Sequence, residues 1–165
     1  MKLLLRRAPF LLLESPEEVF EIRPAPVALL VDLEGTLTEF CPPRNSVIKA
    51  LVGFDQAAAR NGLDLRLLHY ITNADLKDLG AECHAISARL HSHVNKPFYT
   101  PPEEFRVHGT GTVVVGDQYL TDGLLAWRFG FSFGLVKAST HQPAWPRVQL
   151  LVGRVLCPLF FGQRQ

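Results

Sequence analysis

Val27-Ala28-Leu29-Leu30-Val31-Asp32-Leu33-Glu34-Gly35-Thr36-Leu37 decides the reading of this chain: an apolar, β-branched run that breaks into an acidic turn. The pattern recurs at Thr112-Val113-Val114-Val115-Gly116-Asp117-Gln118, with Thr121-Asp122 a few positions on. Runs that are apolar at successive positions are expected to be strands buried on both faces, as in a parallel sheet. In open α/β sheets ligands bind beyond the carboxyl ends of the strands, so both acidic groups are expected to converge in one crevice. Carboxylates gathered there without an evident cationic partner favour a hard divalent cation such as Mg2+.

The rest of the chain alternates strand-like and helix-like segments. After the strand at 27–31 and a loop with Cys41-Pro42-Pro43, the pattern predicts a helix over 46–61, with Ser46 as N-cap and Gly62 as stop. A strand at 65–71 ends in Thr72-Asn73, a helix spans 75–90, and an extended segment at 91–95 reaches Lys96-Pro97. A brief helical turn follows Pro101-Pro102, then a strand at 112–115, a helix at 120–129 closed by Gly130, and a strand at 131–136. The tail, 146–161, reads as helical until Pro158. A βαβαβ series with right-handed crossovers builds a parallel sheet with helices on both faces. The expected organisation is one domain: an N-terminal segment (1–24), a core (25–137) and a helical tail (138–165).

Composition narrows the classes. At 165 residues and 18.4 kDa the chain is long enough for one well-buried core. A net charge of +1 argues against a dedicated nucleic-acid binder, which carries a basic excess. Cys41, Cys83 and Cys157 are odd in number and lack a C-x-x-C pair, so reduced thiols in a reducing compartment, the cytoplasm, are expected. His84, His91 and His93 match no compact zinc spacing and are read as surface or core residues. No run reaches the ~18 apolar residues of a spanning helix. The N-terminal leucines are interrupted by Arg6, Arg7 and Pro9, which argues against a secretory signal. Two alternatives stand for this segment: docking on its own domain, or resting on a membrane surface.

Four elements, in order and each at a strand end, resemble the motifs of the haloacid dehalogenase-like (HAD) hydrolases. Asp32-Leu33-Glu34-Gly35-Thr36-Leu37 resembles the first, D-x-D-G-T; Thr72-Asn73 the second; Lys96 the third; and Gly116-Asp117 with Asp122 the fourth. The string Gly116-Asp117-Gln118-Tyr119-Leu120-Thr121-Asp122 is similar to the G-D-Q-L-x-T-D of the YqeG-type subgroup, itself similar to mitochondrial phosphatidylglycerophosphate phosphatases. The likeness extends to Phe20-Glu21-Ile22-Arg23-Pro24 and covers most of the chain.

The resemblance implies a Rossmannoid three-layer sandwich and a Mg2+-dependent phosphatase working through an aspartyl-phosphate, with a phospholipid headgroup among its candidate substrates. Asp32 is then the nucleophile, and Glu34 the acid and base for leaving group and water. Asp32, the backbone carbonyl of Glu34, Asp117 and Asp122 are the implied metal site, with Asp122 as ligand or as orienter of one. Thr72, Asn73 through its amide, and Lys96 are implied to bind the phosphoryl oxygens, where transition-state charge is stabilised. Other readings stay open: Asp122 as a turn cap and Lys96 as a solvated lysine.

One position departs from the pattern. The residue two after the nucleophile is Glu34 rather than Asp, and its extra methylene displaces the acid; misplacement by about 1 Å can cost on the order of 100-fold in rate. Only about 40 residues separate Asp32 from Thr72, which leaves no room for a cap domain and suggests an open site for large substrates. Three functions are therefore carried forward: a capless phosphatase, acting on a large or membrane-associated substrate; a weak or inactive phosphate-binding regulator; and a protein-interaction module. The basic N-terminus and the apolar tail with Arg147 and Arg154 suit peripheral membrane contact in the first.

Overall fold

The computed structural model describes residues 8–76, 83–137 and 143–163. Seven strands form one all-parallel sheet: β1 (Ala8–Leu13), β2 (Ala28–Asp32), β3 (Leu68–Ile71), β4 (Leu90–His91), β5 (Thr112–Gly116), β6 (Ser132–Val136) and β7 (Phe161–Gln163). Their spatial order is β4-β3-β2-β5-β6-β1-β7. From β2 the chain builds outward to β3 and β4, then returns to the other side of β2 for β5 and β6. That reversal is the switch point of a Rossmann-like sheet, and it lies between β2 and β5.

Successive residues of β2 divide between two cores, as the two-residue period of a strand requires. Leu29 and Val31 pack with Val47, Leu51, Phe54 and Ala58 of α1 (Arg44–Arg60). Ala28 and Leu30 face the opposite core, with Phe105 of α3 (Glu103–Arg106) and with Leu125 and Ala126 of α4 (Leu124–Phe129). The short α2 (His84–Ser87) adds Ile86 to the first core, and α5 (Ala144–Phe160) lays Leu150, Cys157 and Phe160 against the second. Helices therefore cover both faces, the layering expected of an α/β chain.

Several boundaries differ from those the sequence suggests. α1 starts at Arg44 with Pro43 as its N-cap, so Ser46 lies inside the first turn and donates its N–H to the Pro43 carbonyl at 2.9 Å. Residues 65–67 form a helical turn rather than strand, because the Asp64 carboxylate accepts from Arg66 N at 3.0 Å. Of the expected 75–90 helix only His84–Ser87 is helical among the described residues; 77–82 lie outside them, and Leu90 already belongs to β4. The extended segment narrows to Leu90–His91, after which His93 and Asn95 take positive φ and turn the chain toward Lys96. α5 continues past Pro158 to Phe160. At the N-terminus, docking is what residues 8–13 do: they enter the sheet as β1, between β6 and β7, while Lys2, Arg6 and Arg7 lie outside the described residues. All three cysteines are free thiols.

α5 seats on the turn after β5 through a glycine. A Cβ at Gly153 would stand 2.5 Å from Tyr119 Cβ, which cannot move without its backbone. Gly153→Ala is expected to destabilise the chain by about 1–3 kcal/mol, against the ~1 kcal/mol that alanine gains in helix propensity. Urea unfolding decides the sign; an unchanged or raised midpoint means that α5 does not sit on Tyr119.

Among the described residues, no histidine belongs to a cluster that could hold a metal ion. His91 Nε2 lies 2.8 Å from His69 Nδ1, and His93 pairs with Asp75 at 2.9 Å. Burial, reinforced by the charge of His91, holds His69 down to about 4. The unfolded imidazole takes its proton near 6.5, so between those values the unfolded chain binds more protons than the folded one. His69 thus contributes stability that is complete above about 6.5 and lost as the pH falls toward 4. His69→Gln is expected to flatten the acid limb of the stability–pH curve in that window, read by urea unfolding; an unaltered limb shows that His69 is not held neutral.

Candidate functional site

Asp32 closes β2 and Gly116-Asp117 closes β5, so the two acidic groups meet at the carboxyl end of the sheet on either side of its switch point. Two glycines allow this approach. Gly35 has φ of +82°, and a Cβ there would strike the Asp117 carboxylate. A Cβ at Gly116 would strike that of Asp122. The turn after Asp32 is closed by the Leu33 carbonyl, which accepts from Thr36, Leu37 and Thr38 N at 3.2, 2.9 and 2.9 Å. Asp122 reaches the site from a wide turn, Tyr119–Gly123, whose Gly123 N–H spans back to the Gln118 carbonyl at 3.1 Å. Such i→i+5 turns concentrate at functional positions.

Lys96 sits at the centre. Its Nζ lies 2.6 Å from Asp32 Oδ1 and 2.7 Å from Asp122 Oδ1, and all three residues are buried. Asn73 sets it there by accepting the Lys96 backbone N–H at 2.9 Å. Thr72, at the end of β3, accepts from Ala74 N at 3.1 Å through Oγ1. Glu34 is half-buried and accepts from Cys41 N at 3.3 Å. Asp32, Glu34, Thr72, Asn73, Lys96 and Asp117 all line one cleft of about 100 Å³. Asp122 stands behind it, held by Gln118 N at 3.3 Å and Thr121 Oγ1 at 3.2 Å besides Lys96. A larger hollow of about 280 Å³, around Phe20, Val27, Gly62 and Leu67, has Asp64 as its sole carboxylate and no lysine.

The charges do not balance. Burial alone would pull Lys96 down, yet Asp122 and Asp32 outweigh it and hold the ammonium above its usual range. Burial raises Asp32, and Asp122 and Asp117 raise it further against the opposing pull of Lys96. Asp117 is pushed up to about 7, by burial and then by Asp122. Three buried carboxylates thus surround one cation. Asp32, Asp117 and Asp122 each offer an oxygen, and these oxygens lie within 4.8 Å of one another, the one such cluster among the described residues. Clustered hard oxygen donors with surplus negative charge fit a small divalent ion such as Mg2+. Glu34 differs in kind: its carboxylate accepts from Cys41 N and is not part of that cluster.

Other parts of the site escape sequence reading. Gln118 Nε2 donates to Asp117 Oδ2 and to the Pro146 carbonyl, both at 3.4 Å, and so ties the acidic cluster to α5. Phe40, Pro146 and Gln149 complete the cleft wall. Gln149 had a signal: it is the only uncharged polar side chain in α5, and it faces inward.

Added Mg2+ is expected to raise the unfolding temperature of the full chain, by the equivalent of about 2.7 kcal/mol at a hundred times Kd. Asp117→Asn removes one anionic donor and should shrink that rise several-fold; a rise of unchanged size takes Asp117 out of the cation site. No protein-family model, no curated protein and no solved structure matches this chain.

Proposed function

We propose that the chain is a capless HAD-type phosphatase that hydrolyses a phosphate monoester with Mg2+ as cofactor. The observation that carries this reading is the convergence of Asp32, Lys96 and Asp117, backed by Asp122, at the sheet's switch point. In this reading Asp32 attacks phosphorus, the bond to the leaving oxygen breaks, and an aspartyl-phosphate forms on Asp32. Glu34 gives its proton to the leaving oxygen and then takes one from the water that frees inorganic phosphate. Lys96, Thr72 and the Asn73 amide hold the phosphoryl oxygens, where charge builds in the transition state. Asp32, Asp117, Asp122 and the Glu34 carbonyl would hold a divalent cation, whose charge would offset the repulsion of carboxylate and phosphate dianion. Among the described residues, α1 and one short helical turn are the only helical elements between β2 and β3, which supports a site without a cap. An open cleft suits a phosphate carried on a large body, a lipid headgroup included.

A second reading, a phosphate-binding regulator without turnover, draws on the engagement of Glu34 with Cys41 N. A Mg2+-dependent assay on an aryl phosphate separates the two. Asp32→Asn keeps volume and removes the nucleophile, so release of phosphate should fall at least about 10⁴-fold. Retention of most activity in the metal-replete variant rejects the assignment.

Glu34 carries its own test. Glu34→Asp should raise turnover by restoring the shorter reach, and Glu34→Gln should lower it by about 10²- to 10⁴-fold. A wild-type rate indifferent to Glu34→Gln excludes proton transfer by this residue.

A further inference from the structure

α5 is apolar on two sides, and only one of them is covered. Leu150, Gly153, Cys157 and Phe160 face the protein, while Trp145, Val148, Leu151, Val152, Val155 and Leu159 face outward with 45 to 78% of their surface exposed. At 100° per residue these six side chains occupy one continuous outer stripe. The helix runs 17 residues, about 25 Å, which makes the stripe long for a monomer that leaves it to water.

Charge indicates what the stripe meets. From Pro143 to Gln163 there is no Asp or Glu, and the two exposed charged residues of α5, Arg147 and Arg154, lie together on one flank of the stripe. An antiparallel pairing of two copies across this face would crowd four arginines, of like charge, along one edge. An anionic bilayer meets both demands: acyl chains take the apolar stripe, and phosphates take the arginine flank. No helix among the described residues is long and apolar enough to cross a membrane, so α5 would lie in the plane of the interface.

We infer that α5 is a membrane-docking helix that seats this chain on an anionic lipid surface. Its first two turns carry Pro146 and Gln149, which wall the cleft, so docking holds the cleft at the height of the headgroups. The consequence for substrate choice rests on the phosphatase reading; the docking does not.

The test is flotation of the full chain with vesicles of phosphatidylcholine alone and of phosphatidylcholine with phosphatidylserine. Binding to the anionic vesicles is expected, and Val148→Glu with Val155→Glu should reduce it at least tenfold. Both positions are exposed, so circular dichroism and hydrolysis of a soluble aryl phosphate should stay as in the wild type. Arg147→Gln with Arg154→Gln should weaken binding by roughly fivefold per arginine and erase the preference for anionic lipid. Failure to float, or flotation unaffected by the glutamates, overturns the inference. So does a dimer in light scattering that Val155→Glu dissolves, since the stripe is then covered by a second copy. Flotation without phosphatase activity upholds docking and rejects the phosphatase reading alone.

Discussion

The Lys96 ammonium, clasped between Asp32 and Asp122, is the contact on which the carboxyl end of the sheet depends. Removing any one of these carboxylates from water is costly, and side by side they repel. Lys96 offsets part of that cost and binds the end of β2 to the turn after β5. It arrives from β4 on a loop turned by His93 and Asn95, with the Asn73 side chain fixing its backbone. Lys96 is one cation against the three carboxylates of Asp32, Asp117 and Asp122. Functional sites commonly keep such a local imbalance within an otherwise consistent structure.

The two close approaches around this centre explain why glycine recurs beside each aspartate. Gly35 and Gly116 remove the side chains that would stand where Asp117 and Asp122 now sit. The acidic cluster is compact because the backbone itself gives way, and the apolar β2 and β5 behind it keep water from screening the charges. A substitution at either glycine would act on the site without touching a carboxylate.

Much of this was legible in the chain. Strands buried on both faces announce themselves by unbroken apolar runs, so β2, β5 and β6 lie within a residue of where the pattern puts them. Asp32 and Asp117 were legible because each follows such a run, and Asp32, Thr72, Asn73, Lys96 and Asp117 do line one cleft, with Asp122 against it. What the sequence hid was non-local. β1 is a six-residue run containing proline, and β7 is three residues long; neither has a periodicity of its own, and β1 exists because β6 offers an edge, β7 because β1 offers the next. Gln118 was equally hidden, since its significance comes from Pro146, 28 positions away. The boundary errors at Ser46 and at 65–67 are local: Pro43 and Asp64 redirect the backbone before periodicity can act.

The position of β1 has a consequence for the order of assembly. Its only neighbours in the sheet are β6, at Ser132–Val136, and β7, at Phe161–Gln163. On a ribosome it emerges ahead of the other six strands of this sheet and finds its first partner only when β6 is made. Phe10 and Leu13, buried in the finished protein, therefore spend the synthesis of more than a hundred residues without a partner strand. Unpaired apolar strands of this kind recruit wrong partners, so a nascent chain of this design has reason to depend on holding factors. A circular permutant that placed residues 8–13 after β7 would shorten that wait while leaving every contact of the cleft in place.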